Sequence, residues 1–173
     1  VIGEYDNPSL QEQNVLKIDL DNNIAIYGET GSGKENLITT ILWSSIVEHS
    51  PQEVNYYIMD FGAETLRMFS KFPQVGEVVF QDDVNRVAGV LDLILQEIEK
   101  RKELFADFNG NYESYIKESG QTLPRWVVVI NAFDVFQEVL PRIVDAVNTM
   151  FRDGIKYGIS FIVSTINFPV SLS

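Results

Sequence analysis

Cysteine is absent from the 173 residues, histidine occurs once, at position 49, and no wholly apolar run exceeds five residues. Without cysteine there is no disulfide framework; the absence fits a reducing compartment without requiring one. A single histidine rules out a histidine-based triad or a histidine metal cluster, and at a helix end His49 is expected to partner the helix C-terminus. The longest apolar run, Trp126–Ile130, is far short of a membrane span, and no signal peptide is visible, so no direct membrane contact is expected from this piece. Positive charge is scarce: 13 Lys and Arg stand against 25 Asp and Glu, a net charge of −12. Such a surface repels phosphate backbones and argues against a direct nucleic-acid partner; the acidity is read as solubility.

What is present suits one domain with a real core, since apolar residues make up 45% of the chain. The chain does not begin with Met and ends Val170-Ser171-Leu172-Ser173, so it is read as a piece of something longer. Residues 1–14 are polar and are read as a lead-in linker, with a single domain over 15–173. Strands are expected at 15–20, 24–27, 54–59, 78–80, 125–130 and 158–165. Helices are expected from Lys34 to about His49, before Phe72-Pro73, and over about 25 residues capped by Asp82 or Asp83. Further helical turns are expected at 112–117 and from Pro141, read as a first helical residue. The long helix carries an apolar stripe of Val84, Val87, Ala88, Leu91, Ile94, Leu95, Ile98 and Phe105, with Glu97 and Arg101 able to pair at i,i+4. Strands alternating with helices give an α/β fold: a parallel sheet with helices on both faces.

The segment Gly28-Glu29-Thr30-Gly31-Ser32-Gly33-Lys34 fits G-x-x-x-x-G-K between a strand and a helix, the context of a P-loop. Its glycines let backbone N–H groups turn toward a phosphate, the helix adds its positive end and Lys34 a full charge. The next residue should be Ser or Thr, to hold magnesium, but is Glu35. In P-loop NTPases a second buried strand ends in a magnesium-holding aspartate, followed in one branch by a catalytic glutamate. Here those positions are Asn131 and Ala132. The nucleotide-contacting set is therefore residues 28–34 with Glu35, Asn36 and Asn131, the cofactor is ATP with or without Mg2+, and no catalytic or metal residue is assigned. Glu35 could stand in as a magnesium ligand, and Asp134 lies three residues past Asn131, where a cap is the simpler role. Asp60, at a strand end, faces the ligand edge or caps the next short helix.

The motifs GETGSGK (28–34), YYIMDFGAETL (56–66), EIEKRKELF (97–105), LPRWVVVINAF (123–133) and GISFIVST (158–165) resemble, in order and spacing, the FtsK/SpoIIIE motor ATPases, of P-loop NTPase (RecA/ASCE-like) fold. The lead-in over 6–13 resembles that of the later ATPase modules of EssC/EccC, the membrane-anchored ATPases of bacterial type VII secretion. The resemblance implies tandem modules at the cytoplasmic face of the cell membrane. The first is the most motor-like and the later ones are often degenerate, pseudo-ATPase modules. It implies as partners the neighbouring modules of the same chain and secreted proteins bearing a C-terminal signal. It also implies a final strand and helix that this chain lacks, an arginine reaching a neighbouring module (Arg152, or else a surface ion pair), and a polar sensor near Asn167. A working export motor, a DNA-translocase module and an empty structural spacer are the competing readings.

Overall fold

The computed structural model describes residues 1–10 and 12–166. Strand β1 (Gly3–Asn7) pairs antiparallel with β2 (Glu12–Leu16) as a separate two-stranded sheet. The lead-in expected as a linker is thus a hairpin, and 17–20, expected as strand, is not. Ile2, Ile18 and Leu20 are only partly buried, against the edge of the main core.

The main sheet has five parallel strands in the order β3 (Ile24–Tyr27), β7 (Ile159–Thr165), β6 (Arg125–Asn131), β4 (Val54–Asp60), β5 (Val75–Phe80). Val127, Val128, Val129 and Ile130 are all buried, because β6 lies in the middle with cover on both faces. Alternation then divides the core. Val128, Ile130, Phe161, Val163 and Met59 face one layer, formed by α2 (Val84–Phe105), α4 (Phe133–Val139) and α5 (Val144–Gly154). Val127, Val129, Ile58, Ile162 and Ile26 face the other, formed by α1 (Lys34–Glu48) and a 3-10 helix over Thr65–Lys71. Each fully buried valine contributes roughly 1.5–3 kcal/mol relative to exposure. Helix α3 (Tyr112–Ser119) packs Tyr112 and Tyr115 on Phe105 in a small aromatic cluster.

Helix ends follow their local chemistry. Asp83 caps α2 by accepting from Arg86 N at 3.1 Å, and Asn111 caps α3 through Ser114 N at 2.9 Å. His49 follows α1, its Nδ1 donating to Ser45 O at 2.8 Å, a C-terminal partner as expected. Pro141 does not open α5: residues 141–143 form a turn and the helix starts at Val144. The α2 stripe is also shifted. Val84 and Leu95 are exposed, and Val90 and Arg101 take places on the buried face.

Arg101 is 1% exposed. Its Nε donates to Glu97 Oε1 at 2.8 Å, Nη1 to Tyr157 O at 2.9 Å and Nη2 to Pro124 O at 2.6 Å. Burial holds this guanidinium below its ordinary pKa, with Glu97 pulling the other way. The side chain fastens α2 to the entrances of β6 and β7. No helix among the described residues is long and apolar enough to cross a membrane.

Candidate functional site

Strand β3 delivers the loop 28–33 to the start of α1 at the C-terminal edge of the sheet, where open α/β sheets bind ligands. Gly31 (φ +81°) and Gly33 (φ +92°) are in the left-handed region, which a side chain would strain. Gly33 is the residue before α1, and no side chain caps the helix. The N–H groups of Lys34, Glu35 and Asn36 have no carbonyl one turn back within the helix, so this end is set up for an anion. The Lys34 ammonium folds onto its own loop, donating to Gly28 O and, at 2.8 Å, to Glu29 O. Ser32 N donates to Glu29 O at 3.1 Å, closing the turn.

Beside the loop, the ends of β4, β6 and β7 meet the first turn of α1. Parallel pairing sets Asp60 level with Asn131. Asn131 Nδ2 donates to Glu35 Oε1 at 3.0 Å and to Asp60 Oδ1 at 2.8 Å. Two carboxylate neighbours fix which end of the amide is nitrogen, since carboxylates only accept. The other end agrees: Ser164 donates its hydroxyl to Asn131 Oδ1 at 2.7 Å while accepting from Ala132 N at 2.8 Å. Glu35 also accepts from Ala63 N at 3.2 Å and Thr65 Oγ1 at 3.3 Å, tying α1 to the segment after β4. Asp60 accepts from Gly62 N at 2.9 Å and Leu66 N at 3.1 Å. It therefore holds the turn into the 3-10 helix, and it is not in the wall of the cleft that opens at this corner. Asp60, Asn131 and Ser164 are 0%, 2% and 0% exposed. Hydrogen bonds to charged groups of this kind are worth about 1.5–3 kcal/mol each.

Two backbone positions shape the corner. At Gly62 a Cβ would collide with Glu35 Oε1 and lie 2.6 Å from Asn131 Nδ2, so a side chain there would force these two groups to shift. Ala132 has φ +60° and ψ +61°, a left-handed alanine at the turn from β6 into α4. Its methyl stands at the position directly after Asn131, where P-loop NTPases with a catalytic glutamate carry the water-activating carboxylate.

A cleft of about 510 Å³ joins these parts. Of the residues singled out in the sequence, Thr30, Gly31, Gly33, Lys34, Glu35, Asn36 and Asn131 line it, whereas Gly28, Glu29 and Ser32 are not in its wall. Asp134, in the first turn of α4, is also in the wall. Gly62, Ala63 and Ser164 line it too and were missed; the available signal was a polar residue ending an apolar strand, as at Ser164. A second concavity, of about 450 Å³, lies near His49 and Arg125 and has no glycine loop. Arg152 is an exposed side chain on α5, paired to Asp153 at 3.0 Å. Asn167 lies outside the described residues.

The FtsK/SpoIIIE family matches residues 3–165. The ESX secretion system protein EccC of Geobacillus thermodenitrificans (strain NG80-2) is 31% identical over 166 residues, covering 94% of this chain and 11% of that protein. Among solved structures, EssC (ATPases 2 and 3) from Geobacillus thermodenitrificans superposes with a TM-score of 0.90 at 30% identity, over 99% of this chain and 34% of that one. Thermomonospora curvata EccC (ATPases 2 and 3), in complex with a signal sequence peptide, shares the fold with a TM-score of 0.88 at 22% identity, over 99% and 33%. The chain thus spans about a tenth of the length of the secretion proteins it matches.

Proposed function

The chain belongs to the FtsK/SpoIIIE family, and from that premise we propose that it is a module of a type VII secretion ATPase that binds ATP without hydrolysing it. Its phosphates would be held by the backbone N–H groups of the loop and of Lys34, Glu35 and Asn36, and by the Lys34 ammonium once it leaves the loop carbonyls. The observation that carries the reading is the Asn131 amide, bonded to Glu35 and Asp60 where phosphoryl transfer calls for a charged metal ligand. Beside it, Ala132 offers only a methyl group. Phosphoryl transfer depends almost wholly on positioning and electrostatics. Each missing element removes on the order of 10²–10³ in rate, and several are missing together.

The deciding experiment is phosphate release by the purified chain, with Lys34→Ala as the blank. No release above the blank is expected. Turnover of about 1 s⁻¹ that Lys34→Ala abolishes would replace this reading with that of a working motor, for which Glu35 and Asp134 in the cleft wall are the stand-in carboxylates.

For partners we propose protein: neighbouring modules of the same polypeptide and the signal segment of exported proteins, at the cytoplasmic face of the bacterial membrane. Support comes from the fold shared with an EccC structure in complex with a signal sequence peptide, and from a net charge of −12. Micromolar binding to duplex DNA with a steep salt slope would favour a translocase instead.

A further inference from the structure

Resting on the reading that nucleotide binds here, we infer that this site takes the phosphate chain without a divalent cation. Magnesium is a hard ion that demands a near-octahedral shell of oxygens at about 2.0–2.1 Å. Three of the roughly four acceptor sites on each carboxylate at this corner are taken by N–H or O–H donors. Glu35 accepts from Asn131 Nδ2, Ala63 N and Thr65 Oγ1. Asp60 accepts from Asn131 Nδ2, Gly62 N and Leu66 N. The Asn131 carbonyl oxygen faces Ser164, and the end of the amide turned toward the carboxylates is its NH2 group.

Magnesium therefore does not fit these residues. To offer it an oxygen, Asn131 would have to turn over. That withdraws both amide hydrogens from the two carboxylates and leaves a donor facing Ser164 Oγ, which already accepts from Ala132 N. In this chain the Asn131 amide hydrogens and the backbone N–H groups satisfy the two carboxylates by hydrogen bonding, without a cation. The positive groups left for phosphate are Lys34 and the N-terminal end of α1.

Calorimetric titration of the chain with ATP, once in magnesium and once in a chelator, tests the inference. The two dissociation constants are expected to agree within about threefold, with Lys34→Ala weakening both alike. Binding more than about tenfold tighter in magnesium overturns the inference and leaves the nucleotide reading standing. Binding in neither condition removes both. A second measurement needs no nucleotide. Asn131→Asp sets a third carboxylate between Asp60 and Glu35, so its Tm in chelator should fall below the parent's and recover as Mn2+ is added. The parent's Tm should be the same with and without Mn2+, and its Mn2+ spin-resonance spectrum should stay that of the free ion. Uptake of Mn2+ by the parent overturns the inference, and that measurement stands even if Asn131→Asp does not fold.

Discussion

Strand β6 has a buried polar cluster at each end, and the two differ in kind. At its entrance, Arg101 reaches the carbonyl of Pro124, the residue before the strand, and its charge is answered by Glu97. At its exit, Asn131 carries no charge and stands between two carboxylates, Glu35 and Asp60. The entrance cluster joins a cation to acceptors and is closed. The exit cluster gathers acceptors around a neutral amide, opens on a cleft, and has Lys34 as its neighbour along α1. One arrangement serves stability and leaves nothing for a ligand; the other accepts a local excess of negative charge at the edge of the sheet where ligands bind.

The comparison can be broken at several points. The largest effect is expected from Arg101→Leu, which strands Glu97 and two partly buried carbonyls. A loss of about 3–5 kcal/mol should appear in urea unfolding, with the ATP affinity of the folded fraction unchanged. If affinity fell as steeply as stability, the two ends of the strand would not be independent. Next is Lys34→Ala, expected to weaken ATP binding by about 1.5–3 kcal/mol while leaving Tm within a few degrees of the parent's. Unaltered affinity would mean that the loop does not hold phosphate. Glu35→Gln sharpens the contrast further. It keeps an acceptor for Asn131 but removes a charge near the phosphates, so ATP should bind more tightly by about 1 kcal/mol, roughly fivefold, in the presence or absence of magnesium. Weaker binding would show that the carboxylate serves the ligand through a cation. The smallest effect is expected from Ala132→Gly. Relief of the left-handed alanine should slightly outweigh the added freedom of the unfolded chain, giving about 0.5 kcal/mol of stabilisation by denaturant titration. A marked loss would mean that the methyl group packs rather than strains.

The main sheet was legible because its strands are apolar runs bounded by turn residues, and the phosphate loop because its spacing is a backbone requirement. The hairpin at 3–16 was not, since its strands are largely polar and show no alternation of apolar residues. The buried place of Arg101 was hidden for another reason. Read alone, Glu97 and Arg101 are an ordinary i,i+4 surface pair; what buries the guanidinium is a pair of carbonyls, and a carbonyl has no signature in a sequence. The role of Asn131 was only half visible. Its identity showed that a charge was missing, but its donation to Asp60 follows from β4 and β6 lying side by side in register, which strand order alone reveals.

Gly62 carries a consequence for how this corner can change by mutation. The bare backbone there leaves room for the Glu35 carboxylate and the Asn131 amide, so positions 35 and 62 cannot vary independently. In a saturation library built on the parent chain, even alanine at position 62 should be depleted. With serine at position 35, which removes the nearer of the two clashes, alanine at 62 should be less depleted. Such an epistatic pair, 27 positions apart, would let the packing of this corner be followed by sequencing survivors.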